Sequence, residues 1–308
     1  MSLFFILLIL FIVLHHRYYW KVDDNNRYHY NEPIFISHRG EKSDKPENTV
    51  PAFKDALDNG FTWIELDIIT SKDGVIYCSH NFDLERETNG SGYLNELTSE
   101  ALKPLYTGIY HQKNSTTKIP TLDEVVSSLP ENTGYNIEIK APIIWDMSTA
   151  RALLSYLGKS PNIKCIVSSF NPFVVAYLKL FSRSIKTGFL FQNLEYYWVT
   201  HWIHPSYIHP RGDLINAQML SDAKKHNMGV NAWTINGKDA INWCIDQKID
   251  GAADKAKAER VDKNAKVCKR LAVPGSHIKK RICKPQRYWD KLQQDSQKLS
   301  QEMSSRSS

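Results

Sequence analysis

The sequence predicts an α/β barrel in which eight parallel strands alternate with helices, a (β/α)8 fold. From Pro33 onward, short apolar runs typical of strands alternate with longer segments that carry helical spacing, which is the pattern of parallel β/α units. The chain has 308 residues, and a barrel of this class uses about 250 residues as a single domain. We therefore predict one barrel domain over residues 33–258, preceded by an apolar segment at 1–22 and followed by a basic tail at 263–308.

The order of the predicted elements follows from the spacing of apolar residues. The strand candidates are Ile34–Ser37, Trp63–Ile68, Val75–Ser79, Tyr135–Ile139, Cys165–Ser168, Thr187–Phe191, Gly229–Trp233 and Gly251–Ala253. The helix candidates are Val50–Asn59, Thr121–Ser128, Ser148–Leu157, Pro172–Phe181, Ala217–His226 and Lys238–Asp246. Val75–Ser79 has a second interpretation, a hairpin that extends a barrel strand. The stretch 198–212, rich in His, Pro and Tyr, fits neither pattern.

The first 22 residues contain an apolar run, from Leu3 to Leu14, that is followed by the aromatic cluster Tyr18, Tyr19 and Trp20. Twelve helical residues span about 18 Å, less than the roughly 30 Å of a bilayer's hydrocarbon core. That length is typical of a signal-peptide core, although a basic n-region and a small-residue cleavage site are lacking. We expect membrane association or entry into the secretory pathway, with cleavage and retention as an anchor both open. A buried N-terminal helix is the alternative.

The net charge of +6 is concentrated in the last part of the chain. Residues 263–308 hold twelve Lys or Arg residues and three Asp or Glu residues, so the remainder of the chain is slightly acidic. A nucleic-acid-binding domain carries its basic residues over a folded face, and this distribution argues against one. The tail lacks a core-forming period and is predicted to be flexible and solvated, with a membrane-surface role for its basic residues as an alternative.

The five cysteines have no CxxC spacing. Cys78 and Cys165 lie in apolar, strand-like runs, and we predict that both are small buried hydrophobic residues.

Two acids interrupt the apolar strand candidate Trp63–Ile68. Side chains at positions i and i+2 of a strand point to the same face, so Glu65 and Asp67 project together while their apolar neighbours face the other way. Two carboxylates held together favour a bound cation, and oxygen ligands suit Mg²⁺ or Ca²⁺. A solvent-facing strand with hydrated acids is the simpler alternative.

A second strand candidate repeats this arrangement with Glu138 and Lys140 on one face. Glu138 is a candidate to complete a metal site, and Lys140 is a candidate phosphate contact. A buried structural ion pair between the two is the alternative.

Two histidines directly follow apolar strand candidates, His38 after Ile34–Ser37 and His80 after Val75–Ser79. The carboxyl ends of the strands carry the active site in a parallel barrel, so both histidines are expected near the acids. Each one alone would more often be structural.

Together these residues belong to a longer ordered set of motifs that resembles the glycerophosphodiester phosphodiesterase family over about residues 33–256. The motifs are His38-Arg39-Gly40, Pro46-Glu47-Asn48-Thr49 with Ala52-Phe53, Glu65-x-Asp67, Thr70-x-x-Asp73-Gly74, His80, Arg86-x-Thr88-Asn89-Gly90-x-Gly92, Thr121-Leu122-Asp123-Glu124-Val125, Glu138-x-Lys140, Ser168-Ser169-Phe170 and Val230-Asn231-Ala232-Trp233-Thr234-Ile235-Asn236. The resemblance is specific because many elements match in order.

The resemblance implies a TIM barrel that hydrolyses glycerophosphodiesters or lysophospholipids to an alcohol and a phosphomonoester with a bound divalent cation, Mg²⁺ or Ca²⁺. It implies these roles: Glu65, Asp67 and Glu138 as metal carboxylates, His38 and His80 as the general acid/base pair, Arg39 and Lys140 as phosphate contacts, Asn48 as support and Trp233 as part of the pocket wall. The alternative function is a catalytically inactive barrel that binds phospholipid or a protein.

The chain departs from the usual family pattern in two places. His80 is followed by Asn81 where the family usually has Asp, so a carboxylate beside this histidine is missing. The segment Asp250-Gly251-Ala252-Ala253-Asp254-Lys255 lacks the usual Thr and Pro. We therefore expect a less basic His80 and a last strand that is frayed or differently closed.

Overall fold

Nine strands form one closed sheet in the computed structural model, which describes residues 2–30, 33–41, 45–109, 115–235, 237–254, 266–272 and 279–285. The strands are β1 (Ile34–His38), β2 (Trp63–Thr70), β3 (Ile76–Cys78), β4 (Gly134–Ile139), β5 (Cys165–Ser169), β6 (Lys186–Phe191), β7 (Tyr207–Pro210), β8 (Gly229–Ala232) and β9 (Gly251–Asp254). Eight of them run parallel, and β1 pairs with both β2 and β9. The predicted (β/α)8 barrel is confirmed.

The helices fall between the strands. They are α1 (Ser2–Tyr18), α2 (Val50–Asp58), α3 (Ser99–Leu102), α4 (Leu122–Ser128), α5 (Ser148–Lys159), α6 (Pro172–Phe181), α7 (Thr200–Ile203), α8 (Ala217–Lys225) and α9 (Lys238–Asp246). Helix α4 begins with a capping box, in which the Thr121 hydroxyl accepts from the Glu124 backbone N–H and the Glu124 carboxylate accepts from the Thr121 N–H. Local sequence signals therefore set this boundary.

The structure corrects the strand assignment at two positions. Ile76–Cys78 runs antiparallel to the end of β2 and pairs with no other strand among the described residues, so the hairpin interpretation is the right one. The missing barrel strand is Tyr207–Pro210, which pairs with β6 and β8. It was missed because its sequence, Tyr-Ile-His-Pro, is short, contains proline and shows no alternation.

The last strand closes the barrel without fraying. Four residues of β9 pair with four residues of β1, from Ile34 with Gly251 to Ser37 with Asp254, and β9 also pairs with β8. The expected consequence of the departure at Ala252 and Ala253 is therefore wrong. Small residues at these two positions are buried against their neighbours.

The main core lies between the outer face of the barrel and the surrounding helices. Ile64, Leu66 and Ile68 point outward from β2 and are fully buried there, together with Ile137 of β4 and Phe53 of α2. Alternation on β2 thus sends its apolar residues to the helices and its acids into the barrel. Cys78 and Cys165 are buried with free thiols, as predicted.

The N-terminal helix α1 exposes its apolar side chains, from Phe4 to Leu14, on the surface of the chain. Among the described helices, none has both the length and the hydropathy that are needed to cross a bilayer. Beyond α1, the chain packs against the barrel through Trp20 and Val22, which are both buried. The segment from Trp20 to Tyr28 is thereby part of the fold.

Residues 258–308 form a separate unit. Within it the structure describes two strands, β10 (Lys266–Ala272) and β11 (Lys279–Pro285), which pair antiparallel with Cys268 opposite Cys283. The sequence reading assigned no strands to this tail. The rest of the predicted tail lies outside the described residues, and its flexibility stays a prediction.

Leu66→Ala tests the contribution of the outer core. Leu66 is fully buried between β2 and the helices, so its truncation should lower the free energy of unfolding by about 2 to 5 kcal/mol through lost burial and the cavity left behind. Leu180→Ala is the matched control, because Leu180 is 77% exposed and should change stability by less than about 0.5 kcal/mol. Equal losses in urea unfolding of the two variants would contradict this account of the core.

Candidate active site

Strand register brings the predicted polar residues together at the carboxyl ends of β1, β2 and β4. His38 lies directly across from Glu65, and Asp67 lies directly across from Glu138. Because the strands are parallel, their side chains on the inner face stack in layers inside the barrel. The three carboxylates offer oxygen atoms that lie within 4.8 Å of one another.

The chain turns sharply after β1, which places Arg39 over the acids. Arg39 and Gly40 both have positive φ values, 62° and 83°. A Cβ atom at Gly40 would come within 2.7 Å of the Ala52 backbone carbon, so only glycine fits against α2. In this turn, the Arg39 N–H donates to Glu65 Oε2 at 3.0 Å, and Arg39 Nε lies 3.1 Å from Asp67 Oδ2.

Of the three acids, Asp67 has its negative charge most fully balanced by neighbouring cations and hydrogen-bond donors. Its Oδ2 accepts from Asn48 Nδ2 at 2.9 Å, and its Oδ1 lies 2.9 Å from Lys140 Nζ. Burial alone would raise the pKa of Asp67, but the charges of Lys140 and Arg39 outweigh burial and hold it well below its usual range. Asp67 is therefore ionised at the floor of the site, where its side chain is completely inaccessible.

The other two acids hold their protons more tightly. Burial, together with the charges of Asp67 and Glu138, raises the pKa of Glu65 well above its ordinary value. Burial also raises the pKa of Glu138 to about 7, although Lys140 contacts its Oε1 and opposes the shift. Near neutral pH, a fully ionised cluster thus requires more positive charge than Arg39 and Lys140 supply.

These residues fit a divalent cation. Glu65 Oε1 is buried and has no hydrogen-bond partner among the described residues, which is costly for a carboxylate unless a ligand satisfies it. Three carboxylates of buried side chains form an all-oxygen donor set, which suits a hard divalent cation. Metal binding is accordingly a property that this cluster supports.

The two histidines flank the carboxylates. His38 Nε2 lies 3.9 Å from Glu65 Oε2. His80 reaches the site by a different route from the predicted one, because β3 is antiparallel and returns the chain along β2, where the Ser79 N–H donates to the Asp67 carbonyl oxygen at 3.0 Å. Burial lowers the pKa of His80, although Asp67 opposes the shift, so its imidazole is neutral at pH 7.

A carboxylate that the sequence reading did not single out lies behind His80. His80 Nδ1 donates to Asn81 Oδ1 at 3.2 Å, and Asn81 Nδ2 donates to Glu87 Oε1 at 2.7 Å. Burial, followed by the charge of Glu47, raises the pKa of Glu87 to about 7. The Asn81 side chain thus links His80 to Glu87. Spacing alone gave no signal for this, since Glu87 lies in a turn and belongs to no strand.

The pocket above the acids has one polar wall and one aromatic wall. It is lined by His38, Arg39, Glu65, His80, Asn136, Glu138, Lys140, Phe170, Gln192, His209, Asn231 and Trp233, among others. Trp233 Nε1 donates to the His209 carbonyl oxygen at 2.8 Å, and the Trp233 ring meets Phe170 edge to face with centroids 5.4 Å apart. Of the eight predicted site residues, seven line this pocket, and Asp67 lies directly below it.

Comparison with known proteins identifies one family to which this chain is similar. The sequence profile of the Glycerophosphoryl diester phosphodiesterase family matches residues 38–254. A glycerophosphodiester phosphodiesterase of Caldanaerobacter subterraneus subsp. tengcongensis is 31% identical over 229 residues, 71% of this chain and 92% of the relative. Glycerophosphodiester phosphodiesterase 1 of Homo sapiens is 33% identical over 159 residues, 50% of this chain and 47% of that relative.

A solved structure of an Oleispira antarctica phosphodiesterase, in complex with the product sn-glycerol-3-phosphate, is similar with a TM-score of 0.66 and 26% identity. The similarity covers 73% of this chain and 93% of that protein. The glycerophosphodiester phosphodiesterase of Thermotoga maritima is similar with a TM-score of 0.59 and 26% identity, over 74% of this chain and 96% of that one. The profile match over most of the barrel, together with these relatives, shows that the chain belongs to the glycerophosphoryl diester phosphodiesterase family.

Proposed function

We propose that this chain is a metal-dependent hydrolase that cleaves glycerophosphodiesters to an alcohol and a phosphomonoester. The observation that carries the proposal is the convergence of three buried carboxylates, two histidines and two cationic side chains at one end of the barrel. Family membership supports phosphodiester hydrolysis as the reaction class. The alternative, a catalytically inactive binding barrel, has less support because every one of these polar positions is occupied by a competent residue.

In this proposal, Glu65, Asp67 and Glu138 hold the cation, which we expect to be Mg²⁺ or Ca²⁺ because all donors are carboxylate oxygens. When bound, it supplies Lewis-acid neutralisation of a phosphoryl oxygen. Arg39 and Lys140 contact the other phosphate oxygens. Their positions support this role, since both are held against Asp67 with their charged ends in the pocket. Trp233 forms the wall against which the substrate's alcohol group lies.

His38 and His80 move protons in the proposed mechanism. One takes a proton from the attacking nucleophile, and the other delivers a proton to the departing alkoxide. His80 donates through Nδ1 to Asn81, which leaves Nε2 with its lone pair free for proton transfer. Neutral His80 is suited to the base role at pH 7, which assigns the acid role to His38, whose Nε2 lies 3.9 Å from Glu65 Oε2.

An apolar rim beside the pocket extends the proposal to lysophospholipids. Ile143, Ile144 and Trp145 follow β4 and are 65%, 49% and 68% exposed. The Trp145 ring packs on Phe173 with centroids 4.4 Å apart, and Phe170 continues the surface to the pocket wall. Exposed aromatic and branched side chains at a pocket mouth suit an acyl chain or the interfacial region of a bilayer. The exposed apolar residues of α1 support association with a membrane as the location.

Removing a metal carboxylate tests the cation site. Glu65→Gln, Asp67→Asn and Glu138→Gln should each weaken metal binding and lower activity by orders of magnitude, because each replaces a charged ligand of a hard cation. Since the pKa of Glu138 is raised to about 7, protons compete with the metal below that pH, and Mg²⁺ affinity should increase as pH rises through 7. Calorimetric titration one pH unit below and one above 7 measures this increase.

Asp58→Asn is the control for these variants, because Asp58 is exposed on α2 and should leave both metal affinity and activity unchanged. Full activity of the wild-type protein in excess chelator would contradict a metal-dependent reaction. Affinity that does not change across pH 7 would show that Glu138 does not exchange its proton for the metal.

His38→Ala and His80→Ala distinguish the acid from the base. General acid/base groups contribute about 10² to 10⁴ in rate, so both variants should lose about that much on a diester with an alkyl leaving group. With a p-nitrophenyl leaving group, which departs without a proton, His38→Ala should recover most of its rate and His80→Ala should not. The same loss for both variants on both substrates would exclude an acid/base pair. Recovery by His80→Ala alone would reverse the assignment.

The apolar rim predicts a split between two substrates. Trp145→Ala combined with Phe173→Ala should raise KM for lysophosphatidylcholine by about tenfold, since each aromatic contact contributes about 1.5 to 3 kcal/mol when fully buried and less when partly buried. The kinetic constants for glycerophosphocholine should not change. Phe181→Ala, at the other end of α6 and 63% exposed, is the control. An unchanged KM for the lysophospholipid would remove the rim from substrate binding.

A further inference from the structure

A second cluster of metal-ligating side chains lies at the end of the barrel opposite to the active site. It consists of His201 on α7, Asp222 on α8 and His226, which caps the end of α8. Helices α7 and α8 directly precede β7 and β8, so these side chains lie near the amino ends of the strands. The catalytic mechanism uses none of the three.

The distances within the cluster suit one metal ion. His201 Nε2 lies 3.1 Å from Asp222 Oδ2, and His226 Nε2 lies 3.5 Å from Asp222 Oδ1. Ligand bonds of about 2.0 to 2.2 Å in a tetrahedral zinc site separate neighbouring ligand atoms by about 3.3 Å. His201 and His226 are 8% and 2% exposed, which keeps the donors away from bulk water.

Hydrogen bonds orient two of the three ligands, His226 and Asp222. His226 Nδ1 donates to the Trp20 carbonyl oxygen at 2.8 Å, which leaves Nε2 to face the Asp222 carboxylate. At their separation of 3.5 Å, Nε2 and the carboxylate share a cation, which is either a proton or a metal ion. Tyr197 donates its hydroxyl to Asp222 Oδ2 at 2.7 Å. Residues that ligate a metal characteristically make such hydrogen bonds: the imidazole N–H donates to a carbonyl oxygen, and the carboxylate accepts from a neighbouring donor.

The alternative cation is a proton on one of the imidazoles. Two basic residues, Arg17 and Lys225, act on His201 and oppose its protonation, as does the neighbouring His226. Burial is the largest contribution and lowers the pKa of His201 to about 4, although Asp222 opposes the shift. Burial and these charges act against a proton on His201, whereas the distances between the three side chains and their burial suit a metal ion.

We propose that His201, Asp222 and His226 form a second metal site that takes zinc or a similar borderline transition metal. Two imidazoles and one carboxylate favour such a metal over Mg²⁺ or Ca²⁺, which take oxygen ligands. A water molecule completes the coordination. The site is independent of the phosphodiesterase reaction and of the carboxylate cluster that supports it.

The site lies against the segment that joins α1 to the barrel. Trp20 stacks on the ring of His226, with centroids 4.6 Å apart and an angle of 25°, and also on His204 at 4.2 Å. The Val22 N–H donates to the His226 carbonyl oxygen at 2.9 Å. A metal that holds the His226 ring therefore also fixes the segment that joins α1 to the barrel.

Zinc retention by the full chain tests the proposal. The purified protein is loaded with Zn²⁺, dialysed against excess Mg²⁺ to compete at the carboxylate cluster, and analysed for zinc by elemental mass spectrometry. The wild type should keep about one equivalent, whereas His201→Gln and His226→Gln should keep less than about a tenth. His204→Gln, which removes a neighbouring histidine outside the cluster, is the matched control and should keep about as much as the wild type. Equal retention by all four proteins would overturn the proposal.

Thermal unfolding supplies a readout that does not depend on activity. At free zinc about a hundredfold above Kd, the midpoint of the wild type should rise by about 5 to 10 °C, and the midpoint of a folded His226→Gln variant should not move. Should either glutamine variant fail to fold, Asp222→Asn replaces it. A wild-type midpoint that is insensitive to zinc would overturn the proposal and leave a proton as the cation between His226 and Asp222.

Discussion

The burial of Glu65 and Asp67 on one face of a central strand is the constraint on which the rest of the site depends. A carboxylate in the interior is unfavourable unless cations and donors surround it. Arg39, Lys140 and Asn48 meet this requirement from three different elements. Their positions in turn require the left-handed turn after β1 and the pairing of β2 with β4. Only this register of the surrounding strands places Arg39, Lys140 and Asn48 beside the two acids.

The sequence alone predicted the fold class and the proximity of the main polar residues. Alternation over Trp63–Thr70 and Gly134–Ile139 is strong enough to assign the buried faces, and parallel pairing then places the acids side by side. Motif resemblance added Arg39, Asn48 and Trp233, which local patterns alone did not connect with the acids. Their roles in the reaction remain proposals.

Other features could not have been predicted because they depend on contacts between distant segments. Tyr207–Pro210 becomes a strand only because β6 and β8 pair with it on both sides. Glu87 approaches His80 through a turn that has no periodicity. The cluster of His201, Asp222 and His226 assembles from two helices whose sequences contain no metal-binding spacing except the pair four residues apart on α8. Each of these features is determined by tertiary packing and not by the local sequence.

The neutral amide of Asn81 separates the His80 imidazole from the Glu87 carboxyl group. The amide fixes how the two groups are oriented, since its oxygen accepts from His80 and its nitrogen donates to Glu87. It cannot gain or lose a proton, so a change in the charge of Glu87 reaches His80 only through space. A carboxylate at the same position would stabilise the imidazolium directly. Burial lowers the pKa of His80, and an amide at position 81 does not oppose that shift as a carboxylate would.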